Sequence, residues 1–309
     1  MCGAFPLPIA LHSQWGEGQG EGQLKTQHRR GAAPHPGPLP VKDGEREKIV
    51  KIATWNINGV KARIEAAVTW LKEAEPDVVC LQEIKSVDEG FPAAAFEDLG
   101  YTVATHGQKG FNGVAILSKR RPDEVRRGLP GDETDEQARY IEADIASDQG
   151  IVTVASIYLP NGNPIGTEKF TYKLAWMRRL EAHARSRLAL EMPLVLAGDY
   201  NVIPERKDAK RPDAWTGDAL FQPESRAAWR ALLALGLTDA TRACHPTEDL
   251  YTFWDYQAGA WQKNDGIRID HILLSPQAAD RLRASGIDKD VRAREKPSDH
   301  VPVWVELDI

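Results

Sequence analysis

Three cysteines in 309 residues make a sparse and odd set. Cys2, Cys80 and Cys244 form no CxxC pair, so neither a disulfide framework nor a cysteine-based zinc site is expected. Cys80 lies in an apolar run, where it is expected to pack, and a reducing, intracellular setting follows. Long apolar runs are missing too: no stretch reaches the ~20 residues needed to cross a bilayer. The N-terminal "FPLPIAL" is short, broken by prolines and preceded by no basic residue, so it does not read as a secretory signal. An excess of positive charge is also lacking. With 39 Lys and Arg against 45 Asp and Glu, the formal net charge is −6. That argues against binding polyanions by bulk charge but leaves room for a local basic surface.

What the chain does have is core-forming material. Apolar residues make up 42%, and there are nine Trp, enough for one large domain or two small ones. Residues 1–48 differ from the rest: "WGEGQGEGQLKTQHRRGAAPHPGPLPVKDGERE" is rich in Gly, Pro and charge and has no helix or strand period. It is expected to be a disordered tail. Two readings go with it: an inert extension, including an upstream start codon read in error with Val50 as the start, or a basic tether for DNA. From Ile49 onward, strands alternate with amphipathic helices. "KIVKIATW", "DVVCLQE", "NGVAILSK", "ARYIEADI", "GIVTVASIYLP", the run at Leu194, "GIRIDHILLS" and "HVPVWVEL" read as strands. Helices are predicted over residues 61–75 (Ile64, Val68 and Leu71 on one face), 168–190 (Phe170, Leu174, Met177 and Leu188) and 225–235. Some neighbouring strands have no helix between them, so the expected domain, residues 49–309, is mixed α/β rather than purely doubly wound.

The polar residues collect at strand ends. "IATWNING" leaves Asn56 after a strand, "VVCLQEIK" leaves Glu83 and Lys85, "VASIYLPNGN" leaves Tyr158 and Asn161, and "LVLAGDYN" leaves Asp199 and Asn201. "GIRIDHILL" carries Asp270 within a strand, and "KPSDHVPVW" delivers Asp299 and His300 just before one. Each alone has an ordinary reading as a cap or turn. Together they form a set of acids, amides, one Tyr and one His that a packed scaffold can aim at one point. No serine elbow, P-loop or cysteine pair accompanies them. Carboxylates and amide oxygens suit hard cations such as Mg²⁺ or Mn²⁺, and a phosphate ester is the usual substrate of such a set. By period-two alternation Asp199 and Asn201 share a side, while Tyr200 points away as a packing residue.

"WNINGVKAR", "DVVCLQEIK", "HGQKGFNGVAILSK", "YLPNG", "GDYN", "RIDHILLS" and "EKPSDHVPVW" follow one another in the order typical of exonuclease III. Over residues 49–309 the chain resembles the bacterial members of the exonuclease III/AP endonuclease family. The resemblance implies a four-layer α-β-β-α sandwich of two mixed sheets, the deoxyribonuclease I-like fold, with the strand-end residues meeting at one edge. It implies Mg²⁺-dependent hydrolysis of DNA phosphodiesters, with Mn²⁺ as a substitute. The activities would be incision 5′ to abasic sites, 3′-to-5′ exonuclease action on duplex DNA, and 3′-phosphate or phosphoglycolate removal. Double-stranded DNA, especially its abasic sites and 3′ ends, would be the partner of a cytoplasmic, nucleoid-acting monomer with no membrane role.

The roles implied are specific. Glu83 and Asn56 match the family's metal site, to which Asp299 would be an additional ligand. Asp270 would orient His300, which would contact the phosphate or take a proton from water. Asp199 would activate water or protonate the leaving oxygen, with Asn201 orienting that water; Asp199, Asn201 and His300 also fit a second metal. Tyr158 would act near the leaving group, and Lys85 and Asn161 would hold phosphates. Some relatives carry Gln in place of Asn161, a difference that bears on the balance between exonuclease action and incision. Phe253, Ile267 and Ile269 would form an abasic pocket, unless they are simply core. Lys109, Asn112, "RRPDEVRR" and "ERKDAKR" would contact the DNA backbone, unless they are merely solvated. Other phosphodiesterases of the fold, such as inositol-phosphate phosphatases and sphingomyelinases, share "GDxN" and "SDHxPV". "LQEIK", "HGQKGFNG" and "RIDHILLS" favour the DNA repair branch. A noncatalytic binding module would show gaps among the acidic, His and Tyr positions, and there are none.

Overall fold

Alternation along the strands determines how the layers stack. The computed structural model describes residues 49–309, and the tail expected over residues 1–48 lies outside them. In chain order the first half contains β1 (Ile49–Asn56), α1 (Ile64–Ala74), β2 (Val78–Gln82), α2 (Ala94–Glu97), β3 (Thr102–His106), β4 (Val114–Ser118), β5 (Glu124–Arg127), β6 (Tyr140–Ser147) and β7 (Gly150–Tyr158). The second half contains α3 (Glu168–Leu188), β8 (Leu194–Asp199), α4 (Pro223–Ala234), β9 (Thr238–Asp239), α5 (Ala240–Cys244), β10 (Asp270–Leu274), α6 (Pro276–Ala279), β11 (Leu282–Ile287) and β12 (Val303–Asp308). Two six-stranded sheets result, ordered β11-β12-β1-β2-β4-β3 and β5-β6-β7-β8-β10-β9.

Alternate residues of each strand supply two different cores. Ile52, Val78, Cys80, Ile116, Val154, Val195, Ala197 and Ile272 fill the space between the sheets. Their neighbours Leu194, Leu196 and Leu273 face outward to meet Trp176, Met177 and Leu180 of α3 and Trp229 and Leu232 of α4. On the other flank Ala53, Trp55, Val79 and Leu81 meet Trp70 and Leu71 of α1 and Phe96 of α2. This is the expected four-layer sandwich.

The helices differ from expectation in detail. A 3-10 turn over Val60–Arg63 precedes α1, and the face that α1 buries is Ala67, Trp70 and Leu71, with Val68 half-covered. In α3 the buried face is Lys173, Trp176, Met177, Leu180 and Ala184, while Phe170, Leu174 and Leu188 are only partly covered. A charged residue thus takes a position that the 3.6-residue period assigns to the core.

The pairing pattern creates the functional edge. β1 and β2 pair parallel, as do β7 and β8, and the contacts of Asn56 with Asp199 and of Tyr158 with Glu83 bring all four strand ends to one side. β12 runs antiparallel to β1, and β10 runs antiparallel to β8, so these two begin where the others end. Asp270 is therefore the first residue of its strand, opposite Asp199 in register, and not an interior one as the sequence suggested. Gly198 lets β8 approach β7 here, because a Cβ at this position would lie 2.0 Å from the Ile157 carbonyl oxygen.

Candidate active site

Residues from both sheets meet at this edge. The Asn56 amide, at the end of β1, donates to Glu83 Oε1 at 3.0 Å and to Asp199 Oδ2 at 2.9 Å. The Tyr158 hydroxyl, at the end of β7, donates to the same Glu83 oxygen at 2.8 Å. The other Glu83 oxygen is 2.9 Å from the Lys85 ammonium. Lys85 also donates to Asn58 Oδ1 at 2.5 Å, and the Asn58 amide donates to Asp299 Oδ1 at 3.0 Å. His300 Nδ1 lies 2.8 Å from Asp270 Oδ2, leaving Nε2 3.9 Å from Asp199 Oδ2.

Asn201 joins the cluster by a route that alternation did not foresee. The strand ends at Asp199, and Asn201 adopts a left-handed backbone with φ 46°. Its main-chain N–H donates to Asp199 Oδ1 at 2.9 Å and its amide reaches Asp199 Oδ2 at 3.3 Å, so a turn, not a strand, brings it back. Asn58, Glu83, Lys85 and Asn112 are also left-handed. Such backbones are costly for residues other than glycine and persist where surrounding structure imposes them, commonly at functional sites. Tyr200 points away as expected, packing on Trp229 beneath the helices and donating to the Leu196 carbonyl.

Burial raises the pKa of Asp199, and the nearby Asp270 carboxylate adds to this against the pull of His300. Burial by itself would lower the pKa of His300, but the carboxylates of Asp270 and Asp199 overcome it and hold the ring protonated. The Glu83 carboxyl, by contrast, is held below its usual range: burial opposes this, and hydrogen bonds from Asn56 and Lys85 outweigh it.

The donor set fits a hard divalent cation. Ligand atoms of Asp199, Asp270 and His300 lie within 4.8 Å of one another. Among the buried side-chain atoms of the described residues, Asp270 Oδ1 is the one carboxylate oxygen without a hydrogen-bond partner. Four carboxylates (Glu83, Asp199, Asp270 and Asp299) are directly contacted by one cation, Lys85, and by the ring of His300, while the Lys173 ammonium lies behind Asn201 and Arg139 over the Tyr158 ring without pairing with them. The local excess of negative charge is what a divalent ion neutralises.

The outer residues are less uniform. Asn161 donates to Asn201 Oδ1 at 3.1 Å and so belongs to the cluster. Asn112 is buried, and its amide is taken up by Gln108 and Gln137; its carbonyl accepts from the Lys85 N–H, so it shapes the loop. Lys109 is exposed on that loop. Ile267 and Ile269 are covered within a small apolar cluster, where Phe253 is half-buried and stacks edge-on to His300 at 4.9 Å. The strand-like "GIRI" before Asp270 forms isolated bridges from Ile267 to Ala209 and Phe253 instead of continuing the sheet. The basic runs are largely paired: Arg126 to Glu142 and Asp144, Arg206 to Asp213, Lys207 to Glu205 and Arg211 to Asp265.

Sequence reasoning missed four contributors. Asn58 links Asp299 to Lys85. Ser298 donates to the Asn56 carbonyl at 2.7 Å and accepts from the His300 N–H. Arg139 lies 4.8 Å over the Tyr158 ring. Lys173 donates to main-chain oxygens of Asn161 and Asn201. Only Lys173 left a legible signal, a lysine at a core position of an amphipathic helix.

A sequence profile described as the Endonuclease/Exonuclease/phosphatase family matches residues 53–300. Exodeoxyribonuclease III of Haemophilus influenzae is 40% identical over 266 residues, covering 84% of this chain and 100% of that protein. The DNA repair nuclease APEX1 of Danio rerio is 33% identical, covering 88% of this chain and 86% of its own. Among solved structures, a variant of the 3′ phosphatase NExo from Neisseria, bound to product DNA hairpin, matches with TM-score 0.81 and 38% identity, covering 84% of this chain and 100% of that one. An AP endonuclease from Archaeoglobus fulgidus matches with TM-score 0.80, 39% identity and the same coverage.

Proposed function

The chain belongs to the endonuclease/exonuclease/phosphatase family, and from that premise we propose that it is a DNA repair nuclease of the exodeoxyribonuclease III type. Its reactions are 3′-to-5′ exonuclease action on duplex DNA, incision 5′ to abasic sites and removal of 3′-blocking phosphates. The observation that carries the reading is the convergence of Asn56, Glu83, Tyr158, Asp199, Asn201, Asp270 and His300 at one sheet edge, with more carboxylates than cations.

Glu83, Asp299 and Asn56 would hold Mg²⁺, or Mn²⁺ in its place; Asp199 and Asn201 would hold a second ion, joined by His300 only if its ring gives up its proton to that ion. A bound divalent ion would offset charge gathering on the nonbridging phosphate oxygens. The protein does the rest. Asp270 fixes His300 through Nδ1, so Nε2 is directed at the site as a charged donor to a phosphate oxygen. That leaves Asp199 to handle the proton of the attacking water or of the leaving 3′ oxygen, with Asn201 tying its carboxylate in place. Tyr158 donates beside the leaving group, and Lys85 and Asn161 steady flanking phosphates. The half-buried Phe253 beside His300 gives a base-free sugar an apolar surface, and extruding such a nucleotide costs little stacking. The enzyme acts as a monomer on nucleoid DNA in the cytoplasm.

The test compares a labelled duplex bearing one abasic site with the same undamaged duplex, in Mg²⁺ and in EDTA. Incision 5′ to the lesion in Mg²⁺ alone is expected. No cleavage of either duplex with metal present would overturn the reading.

A further inference from the structure

Lys173 is fully buried on the inner face of α3, beside Trp176 and Met177. Its ammonium donates to the Asn201 carbonyl at 2.6 Å and to the Asn161 carbonyl at 3.1 Å. These carbonyls belong to two separate loops, one after β7 and one after β8. Gly162 closes the first loop over the lysine stem, and a Cβ there would lie 2.6 Å from Lys173 Cδ. On the far side of the same two residues, the Asn161 amide donates to Asn201 Oδ1 and the Asn201 amide donates to Leu159 O and Asp199 Oδ2. The lysine holds the main chains from behind, and the amides interlock in front.

Core helix positions are filled most cheaply by apolar side chains, since a buried ammonium loses its hydration. A lysine placed there, with both visible bonds going to the backbones of two site residues, does more than fill space. We infer that Lys173 is a positioning residue: its ammonium clamps the two loops so that Asn201 is held against Asp199 and Asn161 against Asn201. This rests on the reading of Asn161 and Asn201 as site residues. Lys173 touches no substrate and acts through the asparagines. A misplacement of about 1 Å in such a set costs on the order of 10²-fold in rate.

Lys173→Met keeps the stem and removes the clamp. Its kcat on the abasic duplex is expected to fall about 10- to 100-fold, with KM changed less than about threefold and the fold retained by circular dichroism. Asn201→Ala and the double variant should be equally slow, because residues acting as a unit are not additive. If Lys173→Met does not fold, Lys173→Leu, which also lacks a donor, is measured in the same way, and Lys173→Gln, which keeps a donor on a shorter stem, should lose less activity than either. A turnover-free measurement runs alongside: the side-chain amide signals of Asn161 and Asn201 in ¹⁵N spectra should shift in the lysine variant. Unshifted signals, wild-type kcat or additive losses would overturn the clamp. Shifted signals together with a wild-type protein that cleaves no duplex would keep the clamp and overturn the reading of the site.

Discussion

Asp270 and His271 are neighbours in β10, yet their side chains serve two buried charge clusters on opposite sides of the sheet. Asp270 faces His300 and Asp199 at the functional edge. His271 faces the helix layer, where Trp229 lies 4.4 Å away and Arg268 donates to it. Around His271 the charges match: Asp208 and Asp239 are paired with Arg268 and Arg242 at 2.6–2.8 Å. Burial and then the Arg268 charge push the His271 ring down to about 4, keeping it neutral. Around His300 the carboxylates outnumber the cations and push the ring the other way. A matched cluster is finished once the chain folds, whereas an unmatched one still calls for an ion or a substrate.

The largest effect expected from breaking this contrast is on catalysis. Asp199→Asn should lower abasic-site incision by about 10³-fold while the far-ultraviolet spectrum keeps its folded form. Near-normal incision would remove Asp199 from the chemistry. The reciprocal change, Asp208→Asn, strips one partner from the matched cluster. It should cost about 3–5 kcal/mol in urea unfolding and leave incision per folded molecule unaltered; a selective loss of incision would erase the distinction between the clusters.

A third cluster sharpens the comparison through pH. Glu142 is buried beneath Arg126, His183 and Arg187. Burial would raise its pKa, but hydrogen bonds from His183, Tyr140 and Arg126 win and bring it down to about 2 from 4.5. A folded-state pKa below the unfolded one means stability that is fully present above the unfolded value and lost as pH falls through the folded value. Roughly 3 kcal/mol should therefore disappear between about pH 4.5 and pH 2. Glu142→Gln should flatten that part of a stability–pH curve measured by thermal denaturation, and an unchanged slope would assign the acid sensitivity elsewhere.

The layers were legible because short continuous apolar runs such as "VVCLQ", "NGVAILS" and "LVLAGD" mark strands covered on both faces, which is a local property. The polar strand ends were legible too, since Asn56, Glu83, Tyr158 and Asp199 each interrupt an apolar run. Pairing direction was not, and it is pairing that makes Asp270 a strand's first residue instead of an interior one. The left-handed turn that returns Asn201 to Asp199 is likewise invisible to a period-two count. Ile267 and Ile269 look the same in sequence whether they line a pocket or pack in the core, and only the fold shows the apolar cluster with Phe253 that they share. Asn58 and Ser298 join the site through partners far away in the chain, which no local pattern reports.

The hydrogen bond from Trp55 to the His300 carbonyl, 3.2 Å long and 245 residues apart in sequence, has a consequence for biosynthesis. It fastens the first strand of the fold to the segment entering the last one. A ribosome-bound chain interrupted anywhere before residue 300 lacks His300, and until both sheets have docked Asn56 and Glu83 of one are apart from Asp199 and Asp270 of the other. The centre therefore needs both sheets and nearly the whole length of the described residues, and a copy cut short before residue 300 lacks the ring that faces Asp199.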